Sequence, residues 1–215
     1  MAEIRKYAGR WSVTLLEMED DECRARAELW TKYKGNEANL FDGSVNAKLA
    51  GLRGELAFKA LLEHLHVPFV YGGVDGKADD WDFKVLDKIY SLKTQRSGCG
   101  MRPSDTIHLN ARQINHPADY YVFGFNLVAR AGQNQSGREV VFLGCVEKKQ
   151  FVQHAKVVKE GQMVMNELRH KETFVCKSEM LYWYARACKP LPFEKSLEDA
   201  RANDGKEESN HRDHT

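Results

Sequence analysis

The chain has no long apolar run. No stretch approaches the ~18 consecutive apolar residues of a membrane-spanning helix, which excludes such a span. Its first residues, MAEIRKYAGRW, contain no apolar signal-peptide centre, so the expected location is intracellular, in the cytoplasm. Paired cysteines are missing too. Five cysteines, Cys23, Cys99, Cys145, Cys176 and Cys188, are scattered without a CxxC, which argues against a zinc ribbon and for free thiols. The eight histidines show no HExxH or other paired ligand spacing, and none is assigned a role. A strong excess of one charge is also absent. The formal net charge is +1, and the acidic tail 191–215 leaves residues 1–190 at about +4. That is a mild basic bias, far from the level of a histone. There is no internal repeat.

What is present is the composition of an ordinary globular domain, 215 residues long with 42% hydrophobic and 29% charged residues. The most informative stretch runs from Asp80-Trp81-Asp82-Phe83 to Tyr90-Ser91-Leu92-Lys93-Thr94-Gln95. It reads as two strands joined by a tight turn at Asp87-Lys88, with Asp82 opposite Lys93. Side chains alternate across a strand. One face therefore carries Asp82, Lys84, Ser91, Lys93 and Gln95, and the other carries Trp81, Phe83, Val85, Tyr90 and Leu92. An acid and a lysine on adjacent strands can bind a divalent metal and stabilise a charged phosphoryl transition state. An ordinary cross-strand ion pair would look the same, at about 0.2–1 kcal/mol.

Residues 48–66 read as an amphipathic helix, with Leu49, Leu52, Leu56, Leu61, Leu62 and Leu65 at roughly helical spacing. Glu55 lies beside this stripe, one turn from Leu52 and from Lys59. Gly51 and Gly54 each cost about 1 kcal/mol in a helix interior, which suggests a close approach to these turns. A short strand near 69–72 and a glycine-containing turn then lead into the hairpin.

This order, a helix with Gly-Glu-x-Ala-Phe, a short strand, a strand with a central Asp and a strand with x-x-Lys-Thr, resembles the core of the PD-(D/E)XK nuclease superfamily over about residues 48–125. The resemblance implies a restriction-endonuclease-like α/β fold, a mixed central sheet flanked by helices. It implies Glu55, Asp82 and Lys93 as catalytic residues. It also implies a Mg²⁺ ion, with Mn²⁺ as substitute, held by Asp82, Glu55 and the backbone carbonyl of Leu92. Lys93 would orient the attacking water or stabilise developing charge. Ser91 departs from the family, which usually carries Asp or Glu there. Some restriction enzymes of the superfamily have Ser-x-Lys and take the missing acid from a neighbouring helix. Here Glu55 is the favoured replacement, with Asp79, Asp80 and Asp105 as other candidates and Gln95 as an accessory. DNA is the implied partner, a homodimer follows by analogy with the family, and no organic cofactor is expected.

Thr94–Asp105, TQRSGCGMRPSD, is the best candidate for a phosphate-contacting loop through Arg96 and Arg102. The expected organisation is an N-terminal extension with one helix over 1–47, the nuclease-like core with C-terminal helices over 48–190, and a disordered polar tail over 191–215. Apolar strands are expected at 119–125 and 140–146, with a polar loop at 130–139 between them. Residues 147–170 read as mainly helical, and 181–184 as an aromatic cluster that packs in the core. The rival to an endonuclease is a protein of the same fold that binds nucleic acid or a protein partner without cleaving.

Overall fold

The computed structural model describes residues 2–34, 45–72, 81–97, 106–127, 137–159, 161, 163–166, 172–175, 180–184 and 187–194. It is an α/β structure built on a mixed, curled seven-stranded sheet flanked by helices. Strands β1 (Glu3–Tyr7), β2 (Arg10–Thr14), β3 (Phe69–Tyr71), β4 (Phe83–Val85), β5 (Lys88–Ser97), β7 (Tyr120–Leu127) and β8 (Glu139–Glu147) form this sheet. Its order is β1-β2-β8-β7-β5-β4-β3. Only β5 and β7 run parallel, and every other neighbouring pair is antiparallel. A smaller sheet has the order β6-β12-β9, from β6 (Thr106–Asn110), β12 (Met180–Tyr184) and β9 (Lys156–Val158). Strands β10 (Met163–Asn166) and β11 (Glu172–Val175) pair with each other.

Both faces of the main sheet are covered. On one face α1 (Glu17–Lys34) and α2 (Val45–His64) close a core that includes Leu52, Phe58, Leu61, Phe83, Leu92 and Phe142. On the other, Tyr121, Phe123 and Phe125 pack with Phe151 of α3 (Lys148–His154) and with Ile107, Leu109 and Leu181 of the smaller sheet. Double coverage explains why β7 is apolar from Tyr120 to Phe125 before the buried Asn126. It also accounts for the cluster at 181–184, where Leu181 and Trp183 pack into this second core.

Several expectations are revised. Residues 1–47 are more than a helical extension, because β2 pairs with β8 and so extends the main sheet. The described part of residues 147–170 holds one short helix followed by strands β9 and β10. The first residues of the expected polar tail belong to the core. Leu191 and Phe193 are buried, and Phe193 lies 6.1 Å from the Tyr90 ring. The hairpin turn falls at Leu86-Asp87, with Phe83 opposite Tyr90 and Val85 opposite Lys88. Leu86 takes a left-handed φ of 55°, a conformation that leucine rarely adopts and that a sequence reading would not choose. The register moves by two residues, so every side chain keeps its face.

The two helix glycines prove different. A Cβ at Gly54 would overlap Thr94 Oγ1 and lie 2.8 Å from Thr94 Cβ, so Gly54 lets α2 press onto β5. At Gly51 a Cβ would meet nothing within 4 Å. Gly54→Ala is expected to lose about 1–3 kcal/mol through overpacking, while Gly51→Ala gains up to about 1 kcal/mol of helix propensity. Urea denaturation of both variants checks this, and equal shifts would contradict the close approach at Gly54.

Candidate active site

Strand β4 begins at Phe83, and Asp82 immediately before it replaces a strand contact with its side chain. Asp82 Oδ2 accepts the backbone N–H of Leu92 at 2.6 Å and the Ser91 hydroxyl at 3.1 Å. Gly72 N–H donates to the Asp82 carbonyl at 3.0 Å, tying the end of β3 to the same point. In a strand the N–H and C=O of one residue point to the same side. The Leu92 carbonyl is therefore directed to the Asp82 side of β5. Lys93 Nζ donates to Ser91 Oγ at 2.9 Å, so the serine hydroxyl connects the lysine to the aspartate.

Glu55 comes from α2. Its Oε2 accepts the Tyr71 hydroxyl at 2.6 Å. Tyr71 is fixed by its pairing opposite Phe83 and by ring stacking on Phe83 at 4.8 Å. The surface pairing that sequence allows between Glu55 and Lys59 does not form, since Lys59 lies 3.8 Å from Glu63 instead. Burial, and then the charge of Asp82, push the Glu55 carboxyl up to about 7, against the Tyr71 hydrogen bond, Arg26 and Lys93. Burial also lowers the Lys93 ammonium from its usual range, opposed by the charges of Asp82 and Glu55. The charge of Asp82 thus acts on both Glu55 and Lys93, which also act on each other, across the helix and the hairpin. Shifted groups such as Glu55 and Lys93 in one cluster are common at functional sites.

Ser91 is buried, and its part here is to join Lys93 to Asp82. Gln95 lies two residues beyond Lys93 on β5 and is partly buried. Arg96 is exposed near the end of that strand, in register with Asn126. Asp79, Asp80, Asp105 and Arg102 lie outside the described residues. Two members of the site were not found by sequence reasoning. Tyr71 sits in the three-residue FVY strand, which carries no motif of its own. Arg26 of α1 acts on both Glu55 and Tyr71, and nothing in its helical surroundings points to a glutamate 29 residues further along the chain.

Among the described residues, no three His, Cys, Asp or Glu side chains converge into a metal site. Asp82, Glu55 and the Leu92 carbonyl are nevertheless oxygen donors of the kind Mg²⁺ takes, and Mg²⁺ is commonly held by one or two carboxylates while keeping several waters. The donor chemistry therefore fits a hard divalent cation. An open groove of about 810 Å³ lined by Lys88, Asp119, Tyr120, Glu147 and Lys149 lies at the start of β5 and includes none of these residues. Its size does not make it the site, because the perturbed and mutually bonded groups are elsewhere. Compared with known proteins, the chain matches no family model, no curated protein and no solved structure.

Proposed function

We propose that the chain is a divalent-metal-dependent nuclease that hydrolyses phosphodiester bonds, most of all a DNA endonuclease of the PD-(D/E)XK type. The observation that carries this reading is the hydrogen-bonded set Lys93–Ser91–Asp82–Leu92 N–H beside the buried Glu55. The mixed sheet, with a helix glutamate beside an Asp/Lys hairpin, is the arrangement that the resemblance implies.

Asp82, Glu55 and the Leu92 carbonyl would hold Mg²⁺ or Mn²⁺. When bound, the ion would supply an activated water and charge neutralisation at the phosphoryl oxygens. The chain's own groups account for the rest. Lys93 is aimed by Ser91 and offers an ammonium to the oxygen on which negative charge develops. Tyr71 holds one oxygen of Glu55 and so fixes how the carboxyl is presented. Asp82 is locked by Leu92 N–H and Ser91, which removes the entropy that a free carboxylate would lose on binding.

The test is incubation with supercoiled plasmid and Mg²⁺ or Mn²⁺, beside Asp82→Ala and Lys93→Ala. The wild type is expected to cleave, and each variant to lose at least about a hundredfold in rate. Cleavage that survives both substitutions would remove the hairpin from the chemistry. Ser91 in place of an acid, with no third carboxylate converging on Asp82 and Glu55 among the described residues, favours a second reading: a protein that binds nucleic acid or a partner without cleavage. It would bind DNA, leave the plasmid intact and show no heat of Mg²⁺ binding by calorimetry.

A further inference from the structure

Among the described residues, the second core takes its main-sheet members from β7 and β8 and none from β3, β4 or β5. Phe83, Val85, Tyr90 and Leu92 are buried in the first core. By alternation Lys84, Ile89, Ser91 and Lys93 stand on the opposite side of the sheet. The register places Val70, Lys84 and Ile89 in one row across β3, β4 and β5. Lys84 is exposed, Val70 is 58% exposed, and Leu86 in the turn beyond is 63% exposed. A solvated sheet face normally carries polar residues. Here the lysine has an aliphatic neighbour on each side, and grouped exposed aliphatic side chains point to a contact surface.

Lysine on an outermost strand commonly deters pairing with another chain. Strand β4 lies between β3 and β5, so that reason does not apply to Lys84. Among the described residues Lys84 has no ion-pair or hydrogen-bond partner. Asp82, two residues earlier, is engaged by Leu92 N–H and Ser91 instead. Lys93 is tied to Ser91 inside the site, whereas Lys84 presents its charge to solvent beside it.

A polynucleotide brings one phosphate per nucleotide, so a strand bound at one phosphate offers the next one nearby. Two residues of β4 advance roughly 6.5 Å, and the lysine stem is long and flexible. We infer that Lys84 binds the phosphate next to the scissile one, with the DNA backbone crossing the β3–β4–β5 row on Val70 and Ile89. This rests on the nuclease reading and extends it by giving the path of the substrate strand. The occupant is a polyanion because the charged group of the row is an unpaired cation, and because the row adjoins the residues proposed to hold the scissile phosphate.

The experiment measures fluorescence anisotropy with a labelled 20-nucleotide DNA, single-stranded and duplex, in EDTA over a series of KCl concentrations. Lys84→Met keeps the stem and removes the charge. It is expected to weaken binding about tenfold and to reduce the salt slope by roughly 0.7–0.9, with the melting temperature unchanged. Lys84→Arg should restore both. Val70→Asp, which sets a carboxylate beside the lysine, should weaken binding as well. In the plasmid assay Lys84→Met is expected to raise KM and leave kcat near the wild-type value. Wild-type affinity in Lys84→Met would overturn the inference, as would weaker binding with an unchanged salt slope. A dimer seen by light scattering and lost in Val70→Asp, with DNA affinity intact, would assign the row to a second copy and overturn it too. A wild type that cleaves while Lys84→Met binds normally loses only this inference. A wild type that binds DNA through Lys84 and never cleaves loses only the nuclease reading. A wild type that binds neither DNA loses both.

Discussion

Replacing Arg53 by alanine is expected to lower the unfolding free energy by about 3–5 kcal/mol, a large part of the 5–15 kcal/mol that usually holds a domain together. Arg53 is buried in α2, and its Nε donates to Asp20 Oδ1 of α1 at 2.6 Å. Its Nη1 donates to Asn126 Oδ1 of β7 at 3.2 Å, and Asn126 Nδ2 in turn donates to the carbonyl of Gly137 at 2.7 Å and to that of Glu139 at 3.1 Å. One guanidinium thus fastens two helices to the centre of the sheet. Removing it strands the Asp20 carboxylate, 4% exposed, with only the half-exposed Arg24 at 2.9 Å. An uncompensated buried charge is the costly case, whereas replacing both partners by apolar groups is often close to neutral. Arg53→Met paired with Asp20→Leu should therefore recover much of the loss. Chemical denaturation of the three proteins checks this, and a single variant no worse than the double would refute the network.

Acid should act on the same pair. Burial would raise the Asp20 carboxyl, but the hydrogen bonds and charges of Arg53 and Arg24 outweigh it and hold the group below its usual 3.8. A carboxyl depressed in the fold contributes stability that is present above its unfolded value and is lost as pH falls through the folded one. This loss therefore begins below about pH 4.

Glu55→Gln is expected to do two opposite things. On the proposed nuclease reading it should abolish metal-dependent cleavage, because Glu55 is one of the two carboxylates proposed to hold the metal. It should also stabilise the metal-free protein at pH 8. The Glu55 carboxyl titrates near 7 in the fold, against 4.5 ordinarily, first because it is buried and second because Asp82 is close. A carboxyl raised by the fold holds its proton more tightly in the native state. Stability is therefore greatest below the ordinary value, falls as pH rises through the interval, and stays low above the folded value. The difference amounts to about 3 kcal/mol at pH 8. Gln keeps an acceptor for Tyr71 and carries no charge. Melting curves of the two proteins should coincide near pH 4 and separate progressively up to pH 8. Parallel curves at every pH would show that Glu55 is not held against its ionisation. Stability given up at a charged cluster is the usual mark of a site kept for function.

Much of this site was legible in advance because the signals are local. The apolar stripe of residues 48–66 is a property of neighbouring residues, and it placed Glu55 at the edge of a helix observed over Val45–His64. Alternation sorted Asp82, Ser91, Lys93 and Gln95 onto one face, and it survived a misplaced turn because the slip was an even number of residues. Gly54 announced a close approach that Thr94 supplies. The same reading failed at Gly51, since a glycine is identical in sequence whether protein or open space lies beside it.

The sequence by itself determined the α/β class, the helix that carries Glu55 and the sidedness of the hairpin, since periods of 3.6 and 2 are written in consecutive residues. Only the tertiary structure decided the rest. It brought Tyr71 onto Glu55, set Arg26 beside them, made Ser91 the link between Lys93 and Asp82, and drew the first strands and the segment around Phe193 into the core. These are encounters between residues far apart in the chain. They follow from which faces must be buried together and from how a buried charge finds a partner, and no short window of sequence records either.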